Sequence, residues 1–224
     1  MKDQFRTKQE LLQEVTLLKQ RIHELEKHES ERKRIEEALR ENEKKCRELS
    51  IIDDLTQIYN LRQFYFQLTL ESERSNRYAQ HLTLFLIDLD NFKAFNDSYG
   101  HDEGDKVLQR FGQVMRTCLR KTDSTFRYGN DEFTALLPMT TSEAGWATAE
   151  RVRLAFKQET FSPVPSQVVH LTASIGIGQY QPQENINDFV SRVHRLMRQA
   201  KKAGKDRQYS DSESPGQFKS PSQL

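Results

Sequence analysis

Apolar residues recur along this chain with two different periods, and the changes of period mark its elements. From Leu11 the spacing alternates four and three: Leu11, Val15, Leu18, Ile22, Leu25 and, after a break, Ile35, Leu39, Asn42, Cys46, Leu49. These are the a and d positions of a heptad. Carrying the second series backward puts Arg32 and His28 on the seam, so the step from Leu25 to His28 repeats a spacing of three. Such a stammer overwinds a supercoil locally. Residues 1–50 hold no Gly or Pro and are about half charged. They predict one long helix forming a parallel two-stranded coiled coil with a polar middle. Asn42 on the seam is expected to fix register and dimer state, and Cys46 to be a reduced, packed thiol, with a crosslink across the dimer as the alternative.

The pattern changes at Ile51-Ile52-Asp53-Asp54-Leu55-Thr56, which divides a coiled coil over 1–50 from a domain over 51–210. Helical spacing returns from Asn60, an N-cap candidate, to Tyr78. Residues 82–89, Leu-Thr-Leu-Phe-Leu-Ile-Asp-Leu, are a continuous apolar run, as in a central strand buried on both faces. A short helix over 91–97 and a turn over 98–101 lead to a helix over 102–119, whose Val107, Leu108, Phe111, Val114, Met115 and Cys118 keep helical spacing. In 126–137, β-prone residues run to Tyr128 and resume at Phe133 around Gly129-Asn130. That predicts a two-residue hairpin turn with φ > 0. A helix over 142–158 capped by Ser142, a loop over 161–167, a strand over 170–178 and a helix over 186–203 ended by Gly204 follow. Residues 211–224, rich in Ser, Pro, Gln and Gly, are expected to be disordered. The order implies an α/β domain, a mixed central sheet flanked by helices, preceded by a long coiled-coil helix.

Composition narrows the function classes. Lys and Arg number 34 against 33 Asp and Glu, so no overall charge bias points to nucleic acid. The two cysteines, Cys46 and Cys118, lie far apart, which argues against a disulfide framework or a zinc site. No apolar run is long enough to span a bilayer, and the charged N-terminus lacks the apolar core of a signal peptide. A cytoplasmic protein is the expectation, with any external signal arriving through an upstream partner.

Two acidic positions bear on chemistry. Asp88 closes the buried run and Asp131 follows the hairpin turn. A carboxylate ending a buried strand is costly unless it is paired or binds metal. If the two strands are neighbours, the carboxylates meet and repel unless a cation joins them. All-oxygen ligation suits Mg²⁺ or Mn²⁺, and Lys93, Lys201 and Lys205 would then face a triphosphate. Phosphoryl and nucleotidyl transfer need such an arrangement.

At this point several segments resemble one family. Asp54-Leu55-Thr56 with Asn60 and Arg62 resembles D-x-L-T-x-x-x-N-R-R, with Leu61 in place of the first Arg. Asp88-Leu89-Asp90-Asn91-Phe92-Lys93, Asn96-Asp97, Gly100-His101 and Gly104-Asp105 resemble D-x-D-x-F-K-x-x-N-D-x-x-G-H-x-x-G-D. Gly129-Asn130-Asp131-Glu132-Phe133 resembles the signature GGDEF with Asn as its second residue, and Ser174-Ile175-Gly176 and Ala200-Lys201-x-x-Gly204-Lys205 resemble closing motifs. Over roughly residues 50–209 the chain is similar to GGDEF-domain diguanylate cyclases.

The resemblance implies a nucleotidyl-cyclase or palm-like fold and the condensation of two GTP into cyclic di-GMP, with release of two pyrophosphates. It implies that Asp88, the Leu89 carbonyl and Asp131 bind two divalent cations per site. Asn96 and Asp105 would read guanine, while Phe92, Lys93, Gly129, Lys201 and Lys205 would surround the triphosphate. A carboxylate at Asp105 accepts both N–H groups of the guanine edge. Asp131 is the candidate base for the attacking 3′-hydroxyl, with Glu132 beside it in a supporting or metal-site role. Lys205, where Arg is common, keeps charge but loses the bidentate fork. Each domain holds one GTP, so the reaction implies a homodimer, which the coiled coil supplies. Arg120-x-x-Asp123 lies at the offset of the family's product-binding inhibitory motif. An alternative is a catalytically silent domain that receives cyclic di-GMP through Arg120 and Asp123, raised by the side chain of Asn130 crowding the phosphate. His101 is expected to pack or cap, Trp146 to lie on a helix surface or groove, and Met197 in the core.

Overall fold

The computed structural model describes residues 8–211, with side chains described at 11–42 and from Ser50 onward. It divides between Ser50 and Ile51 into two units. The first is a single α-helix, α1 (Lys8–Leu49). Leu11, Val15, Leu18, Ile22, Leu25, Ile35 and Leu39 are all exposed along it. An apolar series left in water at heptad spacing is the surface that a coiled coil buries. The side chains of Cys46 and Leu49 lie outside the described residues.

The second unit runs α2 (Leu61–Tyr78), β1 (Leu82–Leu89), α3 (Phe92–Tyr99), α4 (His101–Cys118), β2 (Ser124–Arg127), β3 (Glu132–Pro138), α5 (Ser142–Lys157), β4 (Ala173–Gln179), α6 (Ile186–Lys202) and β5 (Gln208–Ser210). The strands form one mixed sheet in the order β2-β3-β1-β4-β5. β1 pairs antiparallel with β3 and β4, and β5 adds parallel to β4. Successive β1 residues point to opposite faces. Leu84 and Leu86 pack with Phe64 and Leu68 of α2 and Phe189 and Val193 of α6. Phe85 and Ile87 pack with Phe111 and Met115 of α4 and Val152 and Phe156 of α5. Helices therefore cover both faces, which explains why β1 is apolar at consecutive positions. Each large side chain so buried contributes about 1.5–3 kcal/mol. Gly176 lets α6 approach β4 closely, since a Cβ there would collide with the backbone of Val193 and Met197.

Several expectations need correction. The link between β2 and β3 spans 128–131, with the N–H groups of Tyr128 and Gly129 both donating to the Glu132 carbonyl at 2.8 and 3.0 Å. Neither Gly129 nor Asn130 has positive φ, so the wider turn asks no left-handed residue of Asn130. Thr141 rather than Ser142 caps α5, its hydroxyl accepting from the Ala144 N–H. β4 begins only at Ala173, because Leu171 and Thr172 are used in the loop beside β1. β5 was not expected. Asn60 caps α2 and Met197 is in the core, as anticipated. Trp146 is partly buried against the core. The tail expected over 211–224 lies, apart from Asp211, outside the described residues.

Candidate active site

β1 and β3 are neighbours, with Asp88 opposite Glu132. One step further the Leu89 N–H donates to the Asp131 carbonyl at 3.2 Å. Pairing of the central strand with the hairpin thus brings Asp88, Asp131 and Glu132 together at one end of the sheet. Burial pushes the Asp88 carboxyl up to about 6; its ion pair with Lys201 opposes this, and the nearby Asp131 and Glu132 charges add to it. Glu132 is also pushed up, by burial and then by Asp131, against Lys201 and Arg198.

Among the described residues no three His, Cys, Asp or Glu side chains converge as a complete metal cage. A cation here would draw on two carboxylates and a main-chain oxygen, hard donors that suit Mg²⁺ or Mn²⁺. The neighbouring negative groups on Asp88 are what such a cation would relieve. The residues therefore fit the ion. Asp90, two positions on, is not available to it. It is buried and accepts from Ser174 Oγ at 2.7 Å, Thr172 Oγ1 at 2.8 Å and the Asp206 N–H at 3.0 Å.

Beside the acids lies a cleft of about 720 Å³, lined by Phe92, Lys93, Asn96, Asp105, Asp131 and Arg127, among others. Asn96 Oδ1 is buried with no hydrogen-bond partner. It fits because residue 104 is Gly; a Cβ there would collide with that oxygen. A buried orphan acceptor costs free energy unless a ligand donor meets it. The cleft so gathers an unmet acceptor, the Asp105 carboxylate, a lysine and an acid crowd. That set offers acceptors suited to N–H donors beside a cationic side chain and acidic groups. His101, expected to pack, is exposed and lines the same cleft.

The closing motif reaches this corner by side-chain pairing. Lys201 forms an ion pair with Asp88, and Lys205 Nζ donates to Asn91 Oδ1 at 2.6 Å. Gly129 packs on Glu132, whose Oε2 would lie 3.2 Å from a Cβ at that position. Arg120 and Asp123 lie elsewhere, in a pocket of about 390 Å³ with Arg116 and Lys121. Asp123 Oδ2 accepts the Arg120 N–H at 2.9 Å, which closes the tetrapeptide into a turn.

Sequence reading missed Arg127. Its guanidinium donates to the carbonyls of Gly129 at 3.2 Å and Asn130 at 2.9 Å, and to the Asp53 carboxylate at 3.2 and 3.3 Å. It ties the hairpin turn to the start of the domain. Asp53 in turn accepts from the Thr56 N–H at 2.8 Å and hydroxyl at 2.7 Å. The available signals were the first acid of the D-x-L-T segment and an Arg just ahead of the signature.

Known proteins share this sequence pattern and fold. A family model described as "Diguanylate cyclase, GGDEF domain" matches residues 50–207. The diguanylate cyclase DgcM of Escherichia coli K12 is 36% identical over 155 residues, covering 69% of this chain and 37% of that protein. The diguanylate cyclase SiaD of Pseudomonas aeruginosa, solved with its activator SiaC, is 33% identical at a TM-score of 0.69, over 90% of this chain and 79% of that one. The GGDEF domain of DgcB from Caulobacter crescentus, solved with c-di-GMP, shares the fold at a TM-score of 0.71 and 23% identity, over 73% and 97% of the two chains. The chain spans between a quarter and a half of the length of the first curated relatives it matches. With the model match covering well over half its length, the chain belongs to the family of GGDEF-domain diguanylate cyclases.

Proposed function

We propose that this chain is an active diguanylate cyclase, joining two GTP into cyclic di-GMP and releasing two pyrophosphates. The observation that carries the reading is the cleft in which Asp131 shares one wall system with Asn96 and Asp105, with the Asn96 acceptor unmet. Guanine offers N–H donors to both Asn96 and Asp105; adenine offers no such pair on that edge. Lys93, Lys201 and Lys205 supply positive charge for the triphosphate, and Phe92 packs under it. Asp88, Asp131 and the Leu89 carbonyl would hold Mg²⁺ or Mn²⁺, two ions per site. Bound there, the cations neutralise phosphate charge and favour ionisation of the attacking hydroxyl. Asp131 takes the 3′-hydroxyl proton, and Glu132 supports it. The oxygen so freed attacks the α-phosphate of the GTP held by a second domain. One domain cannot close the ring, so the reading requires a homodimer, and pairing of α1 raises the effective concentration of one domain for the other. Since GTP is the substrate, we assign the cytoplasm as compartment.

Arg120 and Asp123 serve as a product site: the guanidinium binds phosphate or stacks on guanine, and the carboxylate accepts from its edge. The separate pocket around them also favours a second reading, a domain that receives cyclic di-GMP without making it. Incubation with GTP and Mg²⁺, followed by chromatography for cyclic di-GMP, separates the two. Product from the full chain, with activity lost on dilution most strongly when residues 1–45 are deleted, supports the cyclase dimer. Binding of cyclic di-GMP with no turnover at high protein concentration would establish the receptor instead.

A further inference from the structure

Next to the lysines lies a charged network that the proposed chemistry does not use. Lys205 and Asp206 both have positive φ, 62° and 47°. Consecutive left-handed residues without a glycine are unfavourable and persist only where the surroundings over-determine them. Here the clamps come from two sides. The Asp206 N–H donates to Asp90 Oδ2 at 3.0 Å. Arg153 of α5 donates to the Asp206 main-chain oxygen at 3.1 Å and to its carboxylate, while Lys157 donates to the other carboxylate oxygen at 2.6 Å. Arg153 is 9% exposed and Asp90 1%, so neither interaction is a loose surface pair. The rest of the Arg153 fork is held by Glu150 at 2.8 and 2.6 Å. On the other side of the turn, Lys205 Nζ is held by Asn91 Oδ1 at the start of α3, and Asn91 makes no side-chain cap to that helix.

We propose that Arg153, outside the cleft, is a positioning residue for the GTP triphosphate: with Asp90 it clamps Asp206 and so sets the turn that aims Lys205, and with it the end of α6 carrying Lys201, at the phosphates. The inference rests on the reading of the cleft as a GTP site. A second consequence concerns charge. Asp206 adjoins a lysine that must meet a polyanion. Arg153 and Lys157 neutralise its carboxylate and hold it toward α5. Removing Arg153 loosens the turn and leaves the Asp206 charge to Lys157 alone.

The test is steady-state kinetics of the full chain with GTP and Mg²⁺, alongside thermal melts. Arg153→Met is expected to raise the KM for GTP on the order of tenfold, about the worth of one charge-assisted contact, with kcat within about twofold. Arg153→Lys, which keeps charge without the fork, falls between. Asp206→Asn in the Arg153→Met background recovers part of the lost KM, because the carboxylate then balanced only by exposed Lys157 is gone. A purely structural role would lower the melting temperature and the active fraction, hence apparent kcat, and leave KM unmoved. That result in Arg153→Met, or in Asp206→Asn alone should Arg153→Met fail to fold, overturns the inference while the cyclase reading stands. A full chain that makes no product overturns both.

Discussion

Two polar pockets of the globular unit, the cleft beside β1 and the pocket at Arg120, differ in the sign of what they leave unmet. The cleft beside β1 crowds Asp88, Asp131 and Glu132 together and holds a buried acceptor without a donor. The pocket at Arg120 carries Arg116, Arg120 and Lys121 with a single carboxylate, Asp123, which is already accepting from the chain. The first asks for cations and N–H donors; the second asks for an anion. β2 joins them, for Thr125 lines the second and Arg127 the first. On the proposed function, a nucleotide with its cations would occupy the first and a metal-free phosphodiester the second. Charge balance, rather than pocket size, is what distinguishes the two pockets.

The strongest way to break it is Asp131→Ala. This removes the base and one of the two carboxylates, and kcat should fall by about 10³-fold or more. Cyclic di-GMP binding at the other pocket should persist, measurable by calorimetry on the same sample. Loss of both would mean that the pockets are not separable. Gly104→Ala is more selective. The added Cβ displaces the Asn96 amide and crowds Phe92, an overpacking cost of about 1–3 kcal/mol that the roughly 1 kcal/mol helix preference of Ala over Gly partly offsets. The KM for GTP should rise by about 10- to 100-fold and discrimination against ATP should weaken, because the polar groups that read guanine no longer converge. An unchanged GTP-to-ATP ratio of kcat/KM would remove Asn96 from base reading.

Arg120→Ala addresses the other pocket. The inhibition constant for cyclic di-GMP should rise by about tenfold or more, while the initial rate at low product stays near that of the parent. Progress curves run to high conversion would show it, since the parent slows as product accumulates and the variant does not. Equal slowing in both would withdraw the product site.

Much of this was legible along the chain because it is periodic or local. The unbroken run at 82–89 announced a strand covered on both faces, and the heptads before Leu25 announced α1. What was illegible depends on partners far away in sequence. Gln208-Tyr209-Ser210 has no apolar pattern and becomes a strand only because β4 offers it an edge. Asp90 was given no role from the sequence; its donors at Thr172, Ser174 and Asp206 are invisible until the sheet forms. Arg153 carries no local signal, since its partner Asp206 meets it only in the folded domain. The Gly-Asn dipeptide misled for the opposite reason: a strong local turn signal was overridden by Arg127, which holds the Gly129 and Asn130 carbonyls in a wider loop.

That last contact yields the smallest predicted effect. Burial opposes ionisation of Asp53, but the Thr56 hydroxyl and N–H and the Arg127 guanidinium outweigh it, and the carboxyl is held below its ordinary range. A depressed folded-state pKa adds stability that is fully present above the unfolded value, near 4, and is lost as pH falls through the folded value. Asp53→Asn should therefore cost about 1–2 kcal/mol at pH 7, for loss of a half-buried charge-assisted pair. Melts from pH 7 down to pH 3 should show the parent and variant converging on the acid side, the parent losing its advantage below about pH 4. Arg127 keeps its carbonyl partners in the variant, so kcat should fall by only about two- to fivefold, a change of less than about 1 kcal/mol. Parallel melting curves across the whole range would show that Asp53 does not carry this charge coupling, and the hairpin would then owe its wide turn to Arg127 and the two carbonyls alone.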